Sequence, residues 1–331
     1  MKRYLSTIIF IILIIFIINS CANQQSPSRP SPPDEIKPTA TPDMKKWTEV
    51  EFENQQVIPQ NGAIINFNNK ICILGGNFNN KNYNKNFYIY NGEYGWITSS
   101  AGGDFTERIM HSANYFKNDL YIIGGIFENK LREDMLVLKN NLTWTAISDI
   151  GILPRSNHCS IVHDNKLWII GGKNGKDYLN DVWMSEDGKN FKKMEDKEKK
   201  FCPRSGLGLV SFQDKIWIIA GESKDGLKND VWNSNNGIDW EIVTESAKFL
   251  PRAYHSSVVY KNRIWVIGGK TENGPANDIW WTMDGANWVS ITANTIFPVR
   301  YSHYCIEKDG LLWIIGGFNE KGSLNDCWYG F

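Results

Sequence analysis

The sequence predicts an all-β fold, a six-bladed β-propeller, and three observations carry that prediction. A pair of small residues ends an apolar run six times: Gly75-Gly76, Gly124-Gly125, Gly171-Gly172, Ala220-Gly221, Gly268-Gly269 and Gly316-Gly317. Successive pairs stand 49, 47, 49, 48 and 48 residues apart, a period that belongs to propeller arrays with one four-stranded blade per repeat. An aromatic residue follows each of the first five pairs by 20 or 21 residues: Trp96, Trp144, Phe191, Trp240 and Trp288.

At the front of the chain, Lys2 and Arg3 precede the apolar run 8–18. Eleven residues are too few to span a bilayer but suit the core of a signal peptide, expected over 1–20. Ile18-Asn19-Ser20-Cys21 then resembles a bacterial lipobox, with Asn19 off the usual pattern. That resemblance implies lipidation at Cys21, where several acyl chains anchor firmly because each buried methylene contributes about 0.8 kcal/mol. The expected location is the bacterial cell envelope, facing the periplasm or the surface. The alternative is simple secretion, with Cys21 incidental. Residues 22–43 hold six prolines among Ser, Gln, Thr and Ala, so 21–43 reads as an extended spacer ahead of a head domain at 44–331.

Within the head, unit 5 shows the layout most clearly. His255-Ser-Ser-Val-Val-Tyr260 makes a first strand and Lys261-Asn262 a turn. Ile264-Trp265-Val266-Ile267 makes a second strand, stopped by Gly268-Gly269. Asn277-Asp278-Ile279-Trp280-Trp281 follows as a third, and Asp284-Gly285 turns into a fourth at Trp288-Val289-Ser290-Ile291. Short apolar runs between such turn residues are hairpin signals. Unit 6 has no room for a fourth strand, because Phe331 lies 15 residues after Gly316. Trp47-Thr48-Glu49-Val50 precedes Gly75 by the 28 residues that separate Trp96 from Gly124, so this N-terminal strand is expected to complete the last blade and close the ring.

The recurring set of Arg-x-x-His, an apolar strand ending in Gly-Gly, Asn-Asp-Val-Trp and a late Trp resembles Kelch repeats over everything after Met44. Ser185-Glu-Asp187-Gly188-x-x-Phe191 is similar to the Asp-box of sialidase propellers but lacks one residue of its spacing. Arg108, Arg155, Arg204, Arg252 and Arg300 each lie 16 residues before a small pair, and Asp134, Asp181, Asp230, Asp278 and Asp326 each lie 10 after one. Antiparallel strand order puts both sets and the pairs on one face of the disc. Strands about 4.8 Å apart leave roughly 10 Å between Arg and Asp, a gap that a guanidinium crossing the glycines can bridge. Unit 1 lacks both, with Pro59-Gln60 and Lys85-Asn86 in their places.

The same five arginines are the candidate ligand-binding residues. A ring of forked donors suits a carboxylate or phosphate, and the resemblance to Kelch propellers implies an acidic peptide or small ligand there. Phe78, Tyr83, Phe127, Tyr178 and Phe318 are expected on that face as stacking surface.

Thirty-six basic and 36 acidic residues leave no net charge, and no basic stripe argues for nucleic acid. His111, His158, His255 and His303 share one repeat position that Leu207 takes in unit 4, which favours packing over a metal site. Cys72, Cys159, Cys202, Cys305 and Cys327 are scattered without a Cys-x-x-Cys pair. No catalytic constellation or cofactor motif stands out, and no cofactor is expected. The expected role is a binding module for a protein or acidic glycan. The alternatives are a sugar-active enzyme of the sialic acid mutarotase type, with Glu107 or Glu222 as its acid, or an envelope scaffold.

Overall fold

A computed structural model describes residues 46–330 apart from 53–56, 79–81, 93–94, 100–101, 104, 140–142, 196–199 and 292–295. The expected signal peptide, the lipidation site Cys21 and the spacer lie outside the described residues. Among the described residues every regular element is a strand, and the sheets are arranged as in a propeller.

Unit 1 forms an antiparallel sheet of Ala63–Phe67, Lys70–Leu74, Phe87–Tyr90 and Trp96–Ser99. Unit 2 forms Ser112–Phe116, Asp119–Ile123, Met135–Leu138 and Thr143–Ile147, with Gly102–Gly103 added in parallel at its outer edge. Unit 3 forms Cys159–His163, Lys166–Asn174, Asp177–Ser185 and Lys192–Lys193. The sequence leads one to expect a separate sheet for each repeat, but units 4 and 5 share one of nine strands. The joint is Arg252–Ala253, whose backbone pairs with Lys228 on one side and with Thr271 and Lys270 on the other. Neighbouring joints repeat it with isolated bonds: Arg204 N–H donates to the Leu179 carbonyl and Arg300 N–H to that of Ala276, both at 2.9 Å, while Ser205 bridges Glu222 and Tyr301 bridges Phe318.

The last sheet contains Tyr304–Lys308, Leu311–Ile315 and Cys327–Gly330, and Trp47–Glu49 pairs antiparallel with the final strand. Trp47 is buried against Phe297 in an edge contact at 5.2 Å. The matching contacts are Phe105 with Trp144, Phe201 with Trp240 and Phe249 with Trp288, at 5.2, 5.0 and 4.9 Å. Trp47 thus takes in the last sheet the place that Trp288 takes in the sheet before it. The first and last units also meet directly: Tyr304 Oη donates to the Pro59 carbonyl at 2.8 Å and accepts from Gly62 N–H at 2.7 Å.

Local chemistry explains the strands. The first hairpin of each unit turns on two left-handed residues, as in Lys117-Asn118, Asp164-Asn165 and Lys261-Asn262. These turns match the twist of the strands they join and favour Asn, Asp and Gly. Second strands such as Lys215–Ser223 are buried almost throughout because neighbouring sheets cover both faces. That is why they read as continuous Ile and Trp instead of alternating.

Register between neighbouring units is set at the third turn. Ser185-x-Asp187-Gly188, Ser234-x-Asn236-Gly237 and Thr282-x-Asp284-Gly285 fold alike, each hydroxyl accepting from the glycine N–H at 2.9 Å. The Asp-box likeness falls on this turn, which here is a packing device. Each glycine sits on an aromatic of the preceding unit: Gly188 on Tyr121, Gly237 on Trp168 and Gly285 on Trp217. At Gly237 the backbone has φ +69° and an added Cβ would fall 2.3 Å from the Trp168 ring. Gly237→Ala should therefore cost about 2–4 kcal/mol, combining left-handed strain with overpacking. Gly175→Ala, at φ +60° with open space around it, should cost only the strain, about 1 kcal/mol. Chemical denaturation of both variants separates the two contributions.

Candidate functional site

One face of the propeller is organised by a clamp that repeats in units 2 to 6. The arginine that starts each innermost strand lays its guanidinium across the bare end of the second strand. Nη1 donates to the carbonyl of the first small residue: Gly124, Gly171, Ala220, Gly268 and Gly316, at 2.8–3.1 Å. Nε donates to the carbonyl two residues upstream, in Thr106, Leu153, Cys202, Leu250 and Pro298. Four of the five then grip their aspartate with both arms, as Arg155 does Asp181 at 2.7 Å on each oxygen. Arg204 holds Asp230, Arg252 holds Asp278 and Arg300 holds Asp326 in the same way.

Unit 2 differs. Arg108 reaches Asp134 with one arm at 2.9 Å, and its other Nη2 bond goes to Thr106 Oγ1 at 2.6 Å. Arg132 supplies a second cation to the same carboxylate. In units 3 to 6 the carboxylate instead accepts an indole N–H from the tryptophan two residues on, as Asp230 does from Trp232 at 2.8 Å. Phe201, Phe249 and Phe297 lie under the guanidiniums of Arg204, Arg252 and Arg300 at 5.3–5.8 Å.

The structure thus brings together every Arg–Asp pair expected from the sequence. It leaves the five guanidiniums 0 or 1% exposed, with their donors directed into the protein. In unit 1 the Gly75 carbonyl takes its hydrogen bond from Asn84 Nδ2 at 3.1 Å instead of from an arginine, while Gln60, at the joint with the last unit, accepts from Gly317 N–H at 2.7 Å and donates to the Ile58 and Leu324 carbonyls at 2.9 Å.

Burial by itself would raise the carboxyls of Asp134, Asp181, Asp230 and Asp278, but the hydrogen bonds and charge of the paired arginine outweigh it and hold them below the usual range. Removing one partner strands a buried charge, which costs about 3–5 kcal/mol. Asp230→Asn should therefore destabilise the fold by that amount and lower the thermal midpoint.

The histidines stand behind the clamps, wedged between units. His111 Nε2 meets the Leu74 carbonyl of the unit before at 3.1 Å, and His158 Nε2 meets Ser112 Oγ at 2.8 Å. The second glycine of a pair packs on the histidine of its own unit, as Gly269 does on His255 and Gly317 on His303. Among the described residues no group of three or more His, Cys, Asp or Glu could hold a metal ion. Burial, and then the neighbouring arginine, push His111, His158 and His255 down to about 3. An unfolded histidine takes a proton near pH 6.5. Stability is therefore full above about pH 6.5 and falls as the pH drops toward the folded value, before the aspartates add their own loss below about pH 4. His255→Leu, the residue type that position 207 already carries, should remove one proton from the slope of unfolding free energy between pH 6 and 4, roughly 1.4 kcal/mol per pH unit. Denaturant titrations at several pH values measure it.

Nearer the centre of the face, Asn61, Met110, Asn157, Gly206, Tyr254 and Ser302 all take left-handed backbone, at φ +50 to +57°. They are linked in series: Met110 N–H to Asn61 O, Asn157 to Met110, Gly206 to Asn157, Tyr254 to Gly206 and Ser302 to Tyr254, at 2.7–3.1 Å. Their sequence signal, two residues after each arginine, is hidden by the lack of a common residue type. Just outside them, Tyr254 Oη donates to Glu222 Oε2 at 3.1 Å and Lys173 Nζ lies 4.2 Å over the Tyr178 ring. The other loop aromatics are packed too: Tyr83 against Phe127 at 5.1 Å, Phe78 against Tyr88 at 6.0 Å and Phe318 against Tyr301 at 5.8 Å.

With this geometry in view, the comparison with known families is direct. The KLHDC2/KLHL20/DRC7 Kelch-repeats domain matches residues 39–221 and 189–329. The chain belongs to this Kelch-repeat family. Among curated proteins it is similar to Kelch repeat-containing protein 2 of Saccharomyces cerevisiae, 28% identical over 134 residues, covering 35% of this chain and 15% of that protein. It is also similar to the Leucine-zipper-like transcriptional regulator 1 homolog of Drosophila melanogaster, 28% identical over 133 residues, covering 37% of this chain and 14% of that protein. Each match spans about one seventh of the relative's length, so the likeness is one of Kelch repeats and not of whole proteins.

Proposed function

We propose that this Kelch chain is a protein-binding module that presents the clamp-bearing face to its partner, and that its six repeat units form a six-bladed ring closed by the strand at Trp47. Ahead of it, the proposed lipid anchor at Cys21 and the spacer over 21–43 would hold the head at the bacterial cell envelope. The observation that carries the binding reading is the placement of exposed apolar side chains. Seven large hydrophobic residues are exposed among the described residues, and five lie in the segments that lead into the arginine positions or their unit 1 equivalent. They are Val57, Leu153, Leu250, Ile296 and Val299, at 49, 56, 52, 37 and 38%. Side chains that face water at one face of a disc are surface for a partner.

The burial of the arginines shapes this reading. Their role at the face is to hold the strand ends that carry the loops, and ligand contact falls to the linkers and hairpins around them. An acidic glycan, and with it the mutarotase-type enzyme reading, relies on free guanidinium donors and so has less support than a protein partner. The scaffold reading differs only in what the same surface would touch.

The test is chemical crosslinking of the full chain in its native envelope beside a Leu153→Ser/Leu250→Ser/Val299→Ser variant. All three positions are exposed, so folding should be unaffected. A partner crosslinked by the natural protein and lost by about tenfold or more in the variant is the expected result. An undiminished crosslink would move the interface off this face, and acidic-glycan binding without any protein crosslink would replace the protein reading.

A further inference from the structure

The left-handed positions around the centre of the face differ from everything near them. The flanking arginines, histidines and small pairs repeat, whereas this position holds Asn, Met, Asn, Gly, Tyr and Ser in turn. Gly206, Asn61 and Asn157 adopt left-handed backbone at little cost, because glycine has no Cβ and asparagine can bond locally. Tyrosine has neither advantage, yet Tyr254 sits there at φ +55°. Strain of this kind persists where a side chain is wanted in a fixed place.

What Tyr254 does is visible. Its ring lies on Gly206, where an added Cβ would come within 2.8 Å of it. Its hydroxyl reaches across to Glu222, which starts the hairpin after Ala220-Gly221 in the unit before. Glu222 is half-buried, and among the described residues no lysine or arginine pairs with it. Lys173, at the equivalent place in unit 3, is laid over Tyr178 instead. A half-buried carboxylate at the hydroxyl end of a held aromatic ring is a receptor for a cation, with charge from the one and the ring quadrupole of the other close by.

From this juxtaposition we propose that Glu222 and Tyr254 form a subsite for an arginine or lysine side chain of the partner protein. The subsite rests on the protein-binding reading above and narrows it to a partner with a basic residue at the centre of its contact. The guanidinium or ammonium would pair with the Glu222 oxygen that Tyr254 leaves free and lie along the Tyr254 ring.

The test applies the full-length protein to synthetic peptide sets, each with a central Arg, Lys, Gln or Glu in otherwise randomised sequence. The Arg and Lys sets should retain the protein about tenfold more strongly than the Gln set, the ratio that one well-placed charge contact supplies. Glu222→Gln should abolish that ratio while leaving residual peptide binding and the thermal midpoint in place. Tyr254→Asn should also reduce it, and it removes the ring without backbone strain because Asn61 and Asn157 hold the same conformation. Peptide binding with no preference for a cation, or a preference that survives in Glu222→Gln, overturns the subsite and leaves the protein-binding reading standing. Failure of every set to bind overturns both.

Discussion

A cation buried across the end of a β-strand is the interaction on which the rest of the face depends. Each guanidinium lies over a pair of residues with almost no side chain, and this lets it span from the innermost strand to the third. A larger residue at the pair would strike the next unit's backbone or the histidine behind the clamp, as a Cβ at Gly124 would meet the Arg155 carbonyl at 2.7 Å. Once across, the arginine satisfies the strand-end carbonyl, the linker carbonyl and the aspartate together, so three segments that would otherwise end in unpaired polar groups are tied at one point. The price is a fully desolvated charge, which is tolerable only because the aspartate and two carbonyls meet it at hydrogen-bond distance.

The units are held to one another by different means. Turn glycines seat on the aromatics of the preceding unit, histidines fill the space behind the small pairs, and left-handed residues pass backbone hydrogen bonds from unit to unit near the centre. Where the first unit meets the last, side chains do this work: Gln60 and Tyr304 bridge the joint, and Trp47 completes the final sheet. Gln60 suits that place because its amide both donates and accepts. At other joints the matching N–H bonds to the backbone carbonyl of the next unit's arginine, as Gly125 N–H does to Arg155 at 2.8 Å. The loss of Arg and Asp from unit 1 is therefore accompanied by a different polar device at the joint.

A framework this repetitive leaves function to the positions that do not repeat. Kelch membership explains the clamps, the wedges and the strand order, and it says little about what is bound, since one fold carries many functions. The varied residues are the linker aliphatics, the hairpin tips and the left-handed series, all of them at the face whose geometry the clamps set. Such loops on a rigid scaffold are where recognition belongs.

Much of the fold was legible in the sequence because its determinants are local and periodic. The small pairs, the Asn- and Asp-containing turns and the apolar second strands each state their conformation within a few residues, and recurrence at a fixed interval placed the strand at Trp47 in the last sheet. The Arg–Asp pairs were legible for the same reason, since strand spacing alone puts them within reach of each other. What the sequence did not decide is where those arginines point relative to water. A strand start on a disc face suggests donors for a ligand, and only packing of the linker and the second-strand carbonyl around each guanidinium, with a phenylalanine under three of them, buries it. The backbone joints between units were likewise decided by packing, where Arg204, Arg252 and Arg300 reach back to pair with the unit before at Leu179, Lys228 and Ala276. The left-handed series and the Tyr254–Glu222 contact join residues distant along the chain and unlike from unit to unit, so neither period nor residue type announces them. Local conformation and period follow from short-range sterics and hydrophobic pattern, whereas solvent exposure and contacts between unlike residues of different units exist only once the sheets are packed.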